Sequence, residues 1–172
     1  YPRETLENPM ALNLYTLGYN AAGQFVELNQ ALKENLRTYL SNYRMLTDAL
    51  NIKQAHIINI GVQFEVIPKP KFNSNEVLLQ CIDRLKTLFH ADRMQINAPI
   101  NLAQIISDLD RLEGVESIPD LRIANLVGGT YSNNMYDIPN AIKNNILYPS
   151  LDPSIFEVKF PNRDIEGRVV KP

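Results

Sequence analysis

The sequence predicts an α+β fold, close to α/β, in which a small sheet carries two or three helices on one face. Three features predict it: an alternating strand in His56–Val66, and two apolar helical stripes within residues 73–89 and 101–112. A strand or helix that is apolar on one side only must bury that side against another element. Both helices meet this requirement if they lie on the same face of the sheet.

The strand has the two-residue period of a half-buried strand. The positions expected to face the core are all apolar: Ile58, Ile60, Val62, Phe64 and Val66. The positions expected to face water alternate with them: Asn59, Gly61, Gln63 and Glu65. Pro68 and Pro70 are predicted to end the strand, because proline lacks the amide hydrogen that a sheet ladder requires.

The first helix of this central region is predicted to begin after Asn73, with Glu76 as the reciprocal partner in a capping box. Apolar residues recur along it at spacings of three and four, as on a core-facing helix. They are Leu78, Cys81, Ile82, Leu85, Leu88 and Phe89. Cys81 is the only cysteine, so an intramolecular disulfide is excluded, and its place on the stripe predicts a core residue.

The second helix is predicted to begin after Asn101, with Gln104 three residues later. Its stripe consists of Leu102, Ile105, Ile106, Leu109 and Leu112. Gly114 is expected to end it, since glycine tolerates the left-handed conformation common at helix ends. This helix lies between two extended segments.

Those extended segments complete the central β-α-(β)-α-β unit, to which we assign residues 54–126. Before the second helix, Met94 and Ile96 are predicted to form a short strand that Pro99 breaks. After it, Leu121 and Ile123 lie on one side of a closing strand. A helix between strands allows parallel neighbours joined by right-handed crossovers.

Residues 1–53 are predicted to form a linker, a hairpin and a helix. Residues 1–10 resemble an extended linker, and two β-prone runs at 11–20 and 24–28, separated by a glycine-containing turn, favour a hairpin. Asn29 is expected to cap the helix that follows. The apolar stripe of this helix is Leu32, Leu36, Tyr39, Leu40 and Tyr43.

Residues 127–172 are predicted to form an irregular arm and a C-terminal hairpin, and all three regions to form one compact domain with appendages. The arm is rich in Gly, Asn and Pro, with one short helix near Pro139–Asn145. The run 155–160 alternates and should be a strand, paired with 161–170 through a turn. Since an isolated hairpin is marginal in water, it should pack on the domain or on another chain.

Composition excludes some functions. The chain has 172 residues, of which 45% are hydrophobic, an ordinary globular composition. Its net charge of -2 and pI of about 5.7 lack the basic footprint of a nucleic-acid binder. No apolar run is long enough for a membrane span. Because the chain starts at Tyr1 rather than Met, we expect a fragment or a processed form.

No motif in the sequence predicts a catalytic, cofactor or metal site. His56 and His90 belong to no metal-binding spacing. Asp108 and Asp110 are two apart on a helix, so they do not share a face and are interpreted as solvated. Gly128-Gly129-Thr130 lacks the remainder of a phosphate loop and is interpreted as a turn.

Aromatic residues of the arm and the last strands are the candidate interface. Tyrosine is favoured at interfaces because its ring buries area while its hydroxyl finds a partner. The candidates are Tyr131, Tyr136, Tyr148, Phe156 and Phe160. An alternative stays open, in which the tyrosines anchor the arm to its own domain.

Three stretches carry a resemblance to a known family: 31–67, 101–118 and 148–170. Within them, the more specific runs are Tyr43–Asp48, Gly114-Val115 and Ser150–Glu157. From about Ala11 onward the chain resembles the C-terminal part of a baseplate wedge protein of contractile-tailed bacteriophages, in the baseplate J-like group.

The resemblance implies a structural virion protein of the tail baseplate, assembled in the host cytoplasm and without catalytic activity or cofactors. It implies partners as well: a second copy of the chain, as a dimer or larger ring, and other baseplate wedge proteins, but no nucleic acid or membrane. Copies would link neighbouring wedges into a ring around the hub. Two rival functions remain, a small-molecule-binding regulatory α/β module and an enzyme fragment whose catalytic residues lie upstream.

Overall fold

The structure is a computed structural model that describes residues 11–43 and 49–171. The chain divides into two compact units, unit 1 (Tyr1–Ala55) and unit 2 (His56–Pro172). Helices and mixed sheets together confirm the predicted α+β class. The predicted linker at 1–10, and residues 44–48 of the run that carries the family resemblance, lie outside the described residues.

The elements of unit 1 are β1 (Leu12–Thr16), β2 (Gly18–Tyr19), β3 (Phe25–Val26), α1 (Gln30–Ser41) and β4 (Leu50–Gln54). The predicted hairpin is confirmed in a short form, since β2 and β3 pair antiparallel. The prediction missed β4, which pairs parallel with β1. Parallel neighbours require a long crossover, and the chain between β1 and β4 supplies one through α1.

Helix α1 begins as predicted, because the Asn29 side-chain oxygen accepts a hydrogen bond from the Leu32 amide at 2.9 Å. Its apolar stripe, however, does not enter a core. No residue of α1 is buried, and within the described part of unit 1 the buried hydrophobic residues are Phe25 and Ala55. The described part of unit 1 therefore has little core of its own.

Unit 2 is built on a long central strand. Its elements are β5 (His56–Pro68), α2 (Ser74–Leu88), β6 (Ile100–Asn101), α3 (Leu102–Asp110), β7 (Val115–Asn125), α4 (Ile138–Ala141), β8 (Ile142–Lys143), β9 (Ile146–Leu147), β10 (Ser154–Glu157), α5 (Pro161–Asp164) and β11 (Ile165–Val169), with a 3-10 turn at Ala91–Arg93. Strand β5 pairs with β7, β10 and β11, and β9 joins β6 and β8 in a small separate sheet.

The predicted core is confirmed. All five inward residues of β5 are buried in one cluster with α2 and α3 side chains, among them Cys81, Leu85 and Leu109. Because alternate residues of a strand share a face, both helices pack on the same side of the sheet. On the opposite face Gln63 is exposed as predicted, but Asn59 and Gly61 are buried, which the sequence did not indicate.

The helix boundaries follow the predicted caps. The Asn101 side chain accepts from the Gln104 amide at 3.0 Å, and Gly114 adopts a φ of 84° just after α3. Asn73 also caps α2, although its side chain accepts from the Asn75 amide rather than from the Glu76 amide that a capping box requires.

The short strand predicted at Met94 and Ile96 is wrong. Asn97, at a φ of 61°, interrupts any extended run there, and the strand before α3 is instead β6, after Pro99. A left-handed residue cannot continue a strand ladder, so the chain turns at Asn97. The turn is fixed by the Asn97 amide, which donates to the Ser154 carbonyl at 2.8 Å.

The predicted C-terminal hairpin is also wrong, although both of its strands exist. Strands β10 and β11 each pair parallel with β5, at His56–Asn59 and Val62–Val66 respectively. Helix α5 carries the chain forward between them instead of reversing it, with the Asp164 amide donating to the Phe160 carbonyl at 2.8 Å. The C-terminal strands therefore belong to the central sheet of unit 2.

Candidate functional site

Tyr131 belongs to a network that ties the arm to helix α5. Its hydroxyl donates to Asp164 Oδ1 at 2.5 Å and accepts from Arg163 Nη2 at 2.8 Å. Its ring meets Phe160 edge to face, with centroids 5.8 Å apart. Burial raises the pKa of Tyr131, and the bond to Asp164 raises it further, so the hydroxyl stays protonated at neutral pH.

Asp164 is the shared acceptor of this network, and its side chain is only 2% exposed. Besides Tyr131, it accepts the Phe160 amide at 2.9 Å and Arg163 Nε at 3.5 Å. The Arg163 guanidinium also lies 4.4 Å from the Phe160 ring centroid and 5.3 Å from that of Tyr131. We call Tyr131, Phe160, Arg163 and Asp164 the Asp164 network.

Tyr136 anchors a second point of the arm. Its hydroxyl donates to the Tyr148 carbonyl at 2.6 Å, its amide donates to Asn125 Oδ1 at 2.8 Å, and its ring lies 5.9 Å from that of Phe156. Phe156 is 1% exposed and belongs to the core cluster of unit 2. Tyr148, in contrast, is 44% exposed.

The five candidate interface residues therefore occupy different environments. Tyr131 and Tyr136 use their hydroxyls within unit 2, Phe160 is half-buried, and Phe156 is in the core, where it cannot meet a partner. Among the five, Tyr148 offers the most open surface. The arm also exposes Met135 and Leu151, at 84% and 106%, and sequence reasoning did not single these residues out.

The arm covers the edge of β5 next to β7. The carbonyl of Ile57 accepts from Ser132 Oγ at 2.6 Å and from Asn134 Nδ2 at 2.8 Å. The carbonyl of Asn59 accepts from the Leu126 amide at 2.8 Å. Side chains of an irregular segment thus replace a strand ladder, which satisfies backbone groups that would otherwise be unpaired.

Asn59 is buried because this arm covers it. Its side chain donates to Glu157 Oε2 at 2.7 Å and accepts from the Ser132 amide at 2.7 Å. Glu157 is 98 residues away in the chain and only 4% exposed. The alternation of apolar and polar residues contains no information about a partner so distant in the chain. Asn59 was therefore predicted to face water.

The sheet face opposite the helices bears a shallow concavity of about 370 Å³ over β5, β7 and β11. Both guanidinium groups that line it pair with carboxylates. Arg168 Nε donates to Glu65 Oε1 at 2.9 Å, which raises the pKa of Arg168, and Arg122 lies 2.7 Å from Asp120. A second concavity of about 210 Å³ shares Gln63 with the first and reaches the Asp164 network.

The residues screened for chemistry do not converge. His90 Nδ1 accepts the Asp92 amide at 3.4 Å. Asp108 was predicted to be solvated, but its side chain is only 17% exposed and lies 3.4 Å from Arg84. Asp110 is exposed, as predicted, and its carboxylate accepts a hydrogen bond from the Ile118 amide at 3.1 Å. Gly128 and Gly129 form the predicted turn, both at positive φ.

Cys81 lies in the core, as predicted, and burial raises the pKa of its thiol to about 11. A thiol held protonated in this way is a poor nucleophile at neutral pH. Among the residues that the structure describes, no three His, Cys, Asp or Glu side chains gather as metal ligands would. In the same residues, no helix combines the length and apolar character of a membrane span.

In the described part of unit 1, the stripe of α1 exposes large apolar side chains, while its Leu36 and Leu40 are half-buried. Leu32 is 49% exposed, Tyr39 59% and Tyr43 73%. The two tyrosine rings contact each other, with centroids 5.2 Å apart.

Comparison of the chain with known proteins finds no family model that matches it and no curated protein that matches it.

Proposed function

We propose that this chain is a non-catalytic assembly module of the baseplate wedge of a contractile-tailed bacteriophage. It associates with itself and with other wedge proteins, and so links neighbouring wedges into a ring around the hub. Its place of action is the tail baseplate of the virion, after assembly in the host cytoplasm. The family resemblance of Ser150–Glu157 and the other quoted stretches supplies the biological setting of this proposal.

The observation that carries the proposal is the exposed stripe of α1. An amphipathic helix of a globular protein normally turns its apolar face to a core, yet α1 buries no residue. A contiguous apolar surface of this kind marks a protein–protein contact more often than a solvated face. The stripe therefore supports a joining role.

The arm supplies a second surface suited to a partner. Met135, Tyr148 and Leu151 are all exposed. The hydrogen bond from the Tyr136 hydroxyl to the Tyr148 carbonyl ties the segment that contains Met135 to the segment that contains Tyr148. Anchored side chains present exposed neighbours in a fixed geometry, which lowers the entropy lost on binding. We assign this surface to other wedge subunits.

We expect the chain to dimerise in solution through a largely apolar surface. Sedimentation equilibrium from low to high micromolar concentration should show a mass that rises from one chain of 19.6 kDa toward two. Added salt should weaken the dimer little, because apolar burial is not screened. Only monomer at high micromolar concentration would count against self-association.

The alternative, a small-molecule-binding regulatory module, is favoured by one observation, the concave polar face of the sheet in unit 2. Both of its guanidinium groups already pair with carboxylates, so an anionic ligand must displace those bonds. A ligand that binds the folded state raises the melting temperature. A saturable rise with a metabolite, without any change in mass, would favour this alternative.

A further inference from the structure

The stripe of α1 has the spacing of a helix–helix seam. Leu32, Leu36, Tyr39 and Tyr43 follow one another at intervals of four, three and four residues. That is the alternation of the d and a positions in a heptad, where side chains of one helix pack between those of another. Tyr43 lies just beyond the last helical residue, Ser41, and its ring contact with Tyr39 keeps it in line with the seam.

The borders of the seam are nearly neutral. At 100° per residue, Asn35 and Asn42 flank it on one side, and Lys33 and Leu40 on the other. The other charged side chains of α1 are remote from it. Glu34 lies on the opposite side of the helix, where it accepts from Gln30 at 2.8 Å and from Arg37 at 3.2 Å.

We propose that α1 pairs with α1 of a second copy of this chain, in an antiparallel arrangement related by a two-fold axis. This inference rests on the proposed function and names the surface through which the chain associates with itself. In this arrangement Leu32 meets Tyr43 of the partner, and Leu36 meets Tyr39 of the partner. An isologous contact requires a surface complementary to itself. The border formed by Asn35 and Asn42 meets that condition, since an amide both donates and accepts.

Charge selects the antiparallel orientation. Lys33 is the one charged residue on the border of the seam, and antiparallel pairing places the two copies of it at opposite ends of the helix pair. Parallel pairing would place them at the same end, where like charges repel. Antiparallel helices also set the positive end of one macrodipole beside the negative end of the other.

The area suits a weak, concentration-dependent dimer. With about 200 Å² for a whole aromatic side chain and roughly two thirds of that for leucine, the exposed fractions of Leu32, Tyr39 and Tyr43 amount to roughly 330 Å² per helix. Two such faces bury about 660 Å². The half-buried Leu36 and the border amides add to this area, so the total approaches the roughly 1,000 Å² expected of a specific interface. Dimerisation should therefore appear at micromolar rather than nanomolar concentrations.

The test compares two variants of the full chain, Tyr39→Glu on the seam and Ala31→Glu on the exposed flank of α1. Both side chains are exposed, so neither change disturbs a core. Tyr39→Glu should raise the dimer dissociation constant at least about tenfold, because it buries a charge against an apolar partner. Ala31→Glu should change it less than about twofold. Equal dissociation constants for both variants would overturn the assignment to α1.

Cysteine variants test the orientation. Leu32→Cys and Tyr43→Cys chains should each fail to form disulfide-linked dimers alone under mild oxidation, whereas their mixture should form them, because antiparallel pairing brings residue 32 to residue 43 of the partner. Cross-linking of Leu32→Cys alone would contradict the orientation. A dimer that persists in Tyr39→Glu refutes this surface and leaves self-association intact, whereas a wild-type chain that stays monomeric refutes both.

Discussion

Replacing Phe156 with alanine is expected to lower the free energy of unfolding of unit 2 by about 3–5 kcal/mol. Phe156 is 1% exposed and packs in the core beside Tyr136. Its removal loses the transfer free energy of the ring and leaves a cavity that the parallel pair of β10 and β5 cannot easily close. This is the largest effect that we expect from a single substitution among the candidate interface residues.

Cys81 provides a probe specific to unit 2. Its thiol is fully buried, so alkylation in increasing urea reports the unfolding of this unit rather than of unit 1. Tyr148→Ala is the matched control, because Tyr148 is 44% exposed and the carbonyl that accepts from Tyr136 is retained. Tyr148→Ala should lower the free energy of unfolding of unit 2 by less than about 1 kcal/mol. If Phe156→Ala matched this control in stability and weakened only association, the core assignment would fail.

Asp164→Ala is expected to lower the free energy of unfolding of unit 2 by about 2–4 kcal/mol, because it removes the shared acceptor of the Asp164 network. The Phe160 amide and the Tyr131 hydroxyl would each lose their bond to a charged group. Asp164→Asn should cost about half as much, since its remaining carbonyl oxygen still accepts one of these bonds. The Cys81 alkylation midpoint in urea measures both changes.

Arg163→Gln is the control for the charge of this network. The Arg163 side chain is 59% exposed, so its ion pair with Asp164 is screened by water and should contribute little to the free energy of unfolding. The order of destabilisation should therefore be Asp164→Ala, then Asp164→Asn, then Arg163→Gln. A larger loss from Arg163→Gln than from Asp164→Ala would show that the ion pair, not the buried acceptor, holds the arm.

Local patterns in the sequence predicted the local structure well. Asn29, Asn73 and Asn101 each cap the helix expected of them, because a cap depends on residues within one turn. The alternation of β5 likewise identified its buried face, since the period of a strand is intrinsic to its backbone. These features require no knowledge of distant residues.

Pairing between distant segments could not be predicted in the same way. Leu12 lies beside Leu50, and Ser154 beside His56, yet a parallel pair has no tight turn whose residues could reveal it. The C-terminal strands were therefore assigned to each other, as sequence neighbours usually pair. The burial of Asn59 was missed for the same reason, because its cover comes from Ser132 and Glu157.

The candidate site shows a similar division. Aromatic residues of the arm were named from the sequence as interface candidates, with anchoring of the arm to its own domain as the alternative, because sequence does not tell a ring that anchors the arm from one that meets a partner. Tyr131 anchors through Asp164, whose role depends on the turn of α5. The stripe of α1 was recognised from its spacing, whereas its exposure followed only once the small core of unit 1 was known.

The most direct test of a joining role is the mass of complexes formed when the full chain is mixed with purified baseplate wedge subunits of a contractile-tailed phage. A joining role predicts a stable species heavier than either component, which forms with no small molecule added. Components that sediment independently would contradict a joining role. A cofactor or metal found to be held by converging side chains in unit 2 would contradict it as well.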